Sequence, residues 1–116
     1  MNETTWHQLC ELNDFAGANT MARNIADRSI LLYRSGREIF AVENRCTHLA
    51  MPLDEGRVIG GQIICPFHGA CFNLRTGAAV SGPAVSPLVT HHVRIEDGRV
   101  YVELPVECDL AVSGKR

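Results

Sequence analysis

Cys46-Thr47-His48 and Cys65-Pro66-Phe67-His68 each place one thiol and one imidazole close together, and sixteen residues separate the first histidine from the second cysteine. For the four donors to act together, two loops must emerge side by side from one small sheet. The intervening residues supply the means. Strand-like Arg57 to Ile59 and Gln62 to Ile64 flank Gly60-Gly61, a two-residue turn in which glycine accepts the positive φ that tight hairpins demand. Glu38 to Glu43 reads as a strand running straight into the first loop, and the hairpin delivers Cys65 and His68 just past its second strand.

The same signals recur along the chain. Strands are expected at Trp6 to Leu12, Thr20 to Ile25, Ser29 to Arg34, Leu88 to Ile95 and Arg99 to Leu104, with Ser35-Gly36 and Asp97-Gly98 as further hairpin turns. No segment sustains a helical period over three turns; the best candidate, Phe15 to Ala22, contains Gly17 and polar breakers. The predicted fold class is all-β, a small antiparallel β-sandwich, as one domain over residues 1–116 with a subdomain that carries the two loops inserted at about 45–80. The polar end Ser113-Gly114-Lys115-Arg116 is expected to fray.

Composition excludes several classes. With 46% apolar residues and a formal net charge of -2, the 116-residue chain is neither a disordered polyelectrolyte nor a basic nucleic-acid binder. No apolar run approaches the ~20 residues of a membrane helix, and the segment from Met1 to His7 lacks the basic and apolar regions of a signal peptide. A cytoplasmic protein is expected. Five cysteines, an odd number in a chain without export signals, argue for metal binding over a disulfide framework.

The two segments resemble the C-x-H and C-x-x-H signature of the Rieske family, specifically over Arg45 to Phe72. The resemblance implies one 2Fe-2S cluster, with Cys46 and Cys65 on one iron and His48 and His68 on the other. Neutral imidazoles matter to its redox level. The formal charges of two ferric ions, two sulfides and two thiolates cancel, whereas four thiolates would leave a dianion that is harder to reduce.

High-potential members of the family carry an inter-loop disulfide and two hydroxyl donors to cluster sulfurs. Met51, Phe67, Ala70 and Phe72 stand at those places and supply neither, which implies the low-potential branch, the ferredoxins of aromatic ring-hydroxylating dioxygenases. Gly69 is expected to bring backbone N–H groups close to sulfur, Pro66 to stiffen its loop, and Ser81-Gly82-Pro83 to form a third, covering loop or a plain turn.

By the same resemblance the chain is not an enzyme but a one-electron carrier, a monomer that meets a flavin- and NAD(P)H-dependent ferredoxin reductase and a terminal oxygenase in turn. Leu49, Met51, Pro52, Phe67 and Pro83 form a candidate docking rim that would also shield the cluster. Two alternatives stand beside this reading: the small Rieske-like subunit of a larger reductase, and a structural zinc site. Zinc pairs normally leave two to four residues between cysteines and three to five between histidines, which the Cys46-Thr47-His48 spacing does not match. Cys10, Cys71 and Cys108 are read as packed thiols, His91 and His92 as strand residues on opposite faces, and His7 as an ordinary surface histidine.

Overall fold

The computed structural model describes residues 3–25, 27–47, 51–66, 69–81 and 86–105. Eleven strands occur among them: β1 (Thr4–Glu11), β2 (Thr20–Ile25), β3 (Arg28–Ser35), β4 (Glu38–Glu43), β5 (Arg57–Ile59), β6 (Gln62–Ile64), β7 (Cys71–Asn73), β8 (Ala79–Ser81), β9 (Thr90–His91), β10 (Val93–Glu96) and β11 (Arg99–Pro105). They form three antiparallel sheets, ordered β1-β11-β10, β2-β3-β4-β9 and β5-β6-β7-β8.

The middle of the fold is the second sheet, and its sequence explains why. A strand with one wet face alternates apolar and polar residues, while a strand covered on both faces reads as a continuous apolar run. β3 carries Ile30-Leu31-Leu32-Tyr33 and β4 carries Ile39-Phe40-Ala41-Val42. Ile30, Leu32, Ile39 and Ala41 pack with Cys10, Val100, Val102 and Leu104 of the first sheet. Their neighbours Leu31, Tyr33 and Val42 turn the other way, onto Ile63 and Phe72 of the third and Leu74 just past it. Two apolar layers thus share one central sheet.

Turn chemistry sets the hairpin registers. Ile59 pairs with Gln62 around Gly60 (φ 59°) and Gly61 (φ 81°), and Glu96 pairs with Arg99 around Asp97 (φ 53°) and Gly98 (φ 75°). Both are the double left-handed turns that match strand twist. Between β3 and β4 the turn residues are Gly36-Arg37, one position beyond the expected Ser35-Gly36, because Ser35 and Glu38 still pair.

Two local features depart from expectation. The segment Leu88 to Ile95 is split into β9 and β10, which belong to different sheets. Phe15 to Ala22, expected to be a poor helix candidate, forms none; a 3-10 turn runs from Leu12 to Phe15, closed by the Glu11 N–H donating to Asp14 Oδ2 at 2.8 Å, and buries Phe15. The third sheet also gains β8 beyond the expected hairpin and the expected strand around Cys71, which is β7. Arg75, just past β7, ties that sheet to the β3–β4 hairpin: its guanidinium lies over Phe40 and donates to Ser35 Oγ at 2.8 Å.

Candidate metal centre

Two loops open on cysteines. The first leaves the central sheet at the end of β4, and the second leaves the third sheet at the end of β6. In the first, the Cys46 N–H donates to the Met51 carbonyl at 2.7 Å; in the second, the Cys65 N–H donates to the Ala70 carbonyl at 2.7 Å. Each loop is therefore closed by the cysteine's own backbone onto the residue five positions on. The Gly69 N–H donates to the Cys65 carbonyl at 3.1 Å, and a Cβ there would meet no described protein atom. Its φ of 75° lies in the left-handed region that favours glycine.

Cys46 is fully buried and Cys65 is 2% exposed. Both are free thiols, and both belong to the apolar layer that includes Leu53, Ala70 and Phe72. Neither sulfur has a hydrogen-bond partner among the described residues. An apolar pocket penalises a bare thiolate, so two such sulfurs suit either neutral packing or thiolates compensated by metal. His48 and His68 lie outside the described residues, as do Leu49, Phe67, Pro83 and Cys108. Among the described residues no three His, Cys, Asp or Glu side chains gather to hold a metal ion.

The other cysteines differ in setting. Cys71, on β7, donates its thiol to Gln62 Oε1 at 3.2 Å. Cys10 packs in the opposite layer; burial pushes its thiol up, Arg23 pulls it down, and Asp14 and Glu11 add to the rise. The Cys10 setting favours the protonated sulfur. His7 Nε2 lies 2.7 Å from Thr5 Oγ1.

The first loop rests on a charged network that the sequence does not announce. Glu43 Oε2, at the end of β4, accepts from Arg28 Nη1 at 2.9 Å and lies 2.7 Å from His91 Nε2. Burial alone would raise the Glu43 carboxyl, but the His91 hydrogen bond and the Arg28 charge outweigh it and hold the group below the usual carboxylate range. These residues border a cleft of about 550 Å³ that reaches Arg45, Cys46, Thr47 and Val89. Thr47 Oγ1 crosses to the Ser86 carbonyl at 2.7 Å, and the Glu43 N–H donates to the Val89 carbonyl at 2.9 Å. The chain before β9 is thereby stitched to the first loop.

A depressed carboxyl stabilises the fold at pH values above its unfolded range, and the contribution disappears as pH falls through the folded value. Glu43→Gln should therefore cost about 2 kcal/mol near neutral pH, the scale of a hydrogen bond to a charged group. The cost should shrink steadily in acid. Denaturant titrations of both proteins across that range check it, and a pH-independent difference would contradict the assignment.

Three layered antiparallel sheets with two matched cysteine loops at the junction of two of them define a class of small metal-binding electron-transfer domains. The Rieske [2Fe-2S] domain profile matches residues 5–101, and the chain belongs to that family. Its cofactor is accordingly a Rieske-type 2Fe-2S cluster. The chain is 36% identical over 98 residues to the ferredoxin CarAc of Metapseudomonas resinovorans, an alignment covering 84% of this chain and 92% of the relative. It is 35% identical over 107 residues to the anthranilate 1,2-dioxygenase ferredoxin subunit of Burkholderia cepacia, covering 90% and 99%. A solved complex of reduced oxygenase and oxidised ferredoxin in carbazole 1,9a-dioxygenase contains a chain that superposes with a TM-score of 0.76 at 35% identity, covering 84% of this chain and 91% of that one.

Proposed function

We propose that this protein is the ferredoxin of an aromatic ring-hydroxylating dioxygenase system, a one-electron carrier rather than a catalyst. It takes electrons from an NAD(P)H-dependent flavin reductase and gives them to the terminal oxygenase, acting as a monomer in the cytoplasm. The observation that carries the reading is the pair of buried sulfurs, without a hydrogen-bond partner among the described residues, on matched loops in a chain of this family. The site is assigned to Cys46 and Cys65 on one iron and His48 and His68 on the other, within a cluster-binding subdomain of about residues 45–80.

The cluster supplies a one-electron couple. The chain supplies its setting: Cys46 and Cys65 are sealed from water, and the backbone closures onto Met51 and Ala70 fix where each sulfur enters. Buried Ala70 and Phe72, next to the second loop, bring no hydroxyl that could stabilise added charge. Among the described residues of the candidate docking rim, Met51 is half-buried and Pro52 exposed. Among the described residues no helix is long and apolar enough to cross a membrane.

A redox titration followed by EPR tests the proposal. The expected result is uptake of one electron per chain, with a reduced-state signal of a histidine-ligated cluster and a midpoint low in the family's range of roughly -150 to +300 mV. Oxygenase turnover with reductase should also require this protein. A colourless, zinc-containing, EPR-silent protein would overturn the reading.

A further inference from the structure

We propose that Asn44 is a positioning residue for the metal centre, a side-chain clasp that fixes the course of the first loop around Cys46. The inference rests on Cys46 being a cluster ligand. Asn44 is the buried polar side chain among the described residues, 8% exposed in an otherwise apolar interior. A buried amide is costly unless its groups are paired, and here they are paired across the loop. Its Oδ1 accepts from the Leu53 N–H at 2.7 Å, and its Nδ2 donates to Asp54 Oδ1 at 3.0 Å and to Ser29 Oγ at 3.1 Å. Its own backbone N–H donates to the Ser29 carbonyl at 2.9 Å.

The chemistry of the partners fixes the amide's orientation. Turned over, the NH2 group would face the Leu53 N–H and the oxygen would face the Asp54 carboxylate, both repulsive. One side chain therefore joins the residue at the mouth of the loop, two before Cys46, to the residues where the loop returns, and anchors both to β3. The closure of Cys46 onto Met51 lies inside this clasp. Because the second cysteine belongs to a different sheet, the first cannot be held by strand pairing with it, and the clasp replaces that constraint.

The test uses the holoprotein. Iron release to a chelator is followed well below the unfolding temperature, with the reduced-state EPR spectrum recorded beside it. Asn44→Asp keeps the acceptor for Leu53, loses both donors and sets a carboxylate against Asp54; iron loss should be roughly 10- to 100-fold faster, the scale seen when groups behind metal ligands are removed, with a shifted or broadened spectrum. The double variant Asn44→Asp/Asp54→Asn restores a donor–acceptor pair between positions 44 and 54 and should recover most of the loss. Asp54→Ala alters an exposed position that does not endanger folding, and should accelerate release about threefold, the scale of one exposed charge-assisted bond.

Asn44→Asp and Asp54→Ala both within twofold of the natural protein, with unchanged spectra, would overturn the clasp. So would a double variant as leaky as Asn44→Asp alone. Cys46→Ala in the same assay separates the two levels: if it keeps its cluster the ligand assignment falls, and if it bleaches while the clasp variants behave normally only the role of Asn44 falls.

Discussion

Cys65→Ala should yield a protein without the cluster: no visible absorption, no reduced-state EPR signal, and iron at least tenfold below that of the natural chain, the scale of losing a metal-site group. On the proposed assignment each iron would draw on two protein donors, so Cys65→Ala would leave one iron a ligand short in a buried setting, Cys65 being 2% exposed. The nearest spare sulfur cannot substitute. Cys71 sits on β7, registered opposite Ile64, and its thiol is held by Gln62. Serine at position 71 retains a donor for Gln62, so Cys71→Ser should keep full iron content and lose about 1 kcal/mol at most. A coloured Cys65→Ala beside a bleached Cys71→Ser would show that the wrong sulfur had been assigned.

The parts of this fold that are legible in the sequence are those decided by neighbours along the chain. Gly60-Gly61 and Asp97-Gly98 announce their hairpins because few residue pairs tolerate two successive left-handed conformations. Cys46 and Cys65 stand out because a thiol and an imidazole recur together at short spacing. What stays hidden is decided by distant partners. β8 is three residues long, too short to show a period, and exists through pairing with β7. Ile30 to Tyr33 and Ile39 to Val42 read as strands, yet only the packed structure shows that their unbroken apolar runs serve two layers. Asn44 looks like one more polar loop residue until Leu53, Asp54 and Ser29 converge on it. The breakers in Phe15 to Ala22 argue against a helix there, but the 3-10 turn that buries the Phe15 ring, with Ala16 left-handed at φ 49°, is too short to leave a period in the sequence.

Phe72→Ala should be the most damaging core truncation, costing about 3–5 kcal/mol in a fold whose total stability is on the order of 5–15 kcal/mol. The ring is fully buried at the centre of β7, opposite Ile63, in the layer shared with Leu31, Tyr33 and Val42 of the central sheet. Position makes the loss functional as well as structural. Cys46 follows a strand of the central sheet and Cys65 follows a strand of the third, so the separation of the two sulfurs is set by the apolar layer between those sheets, to which both sulfurs belong. Leu32→Ala offers the comparison, because Leu32 is equally buried but faces the opposite layer, and it should cost about 2–5 kcal/mol. At a temperature where both variants remain folded, Phe72→Ala should release iron to a chelator well ahead of Leu32→Ala when the two are matched for denaturation midpoint. Equal release at equal stability would mean that general loosening, and not the spacing of the two sheets, governs cluster retention.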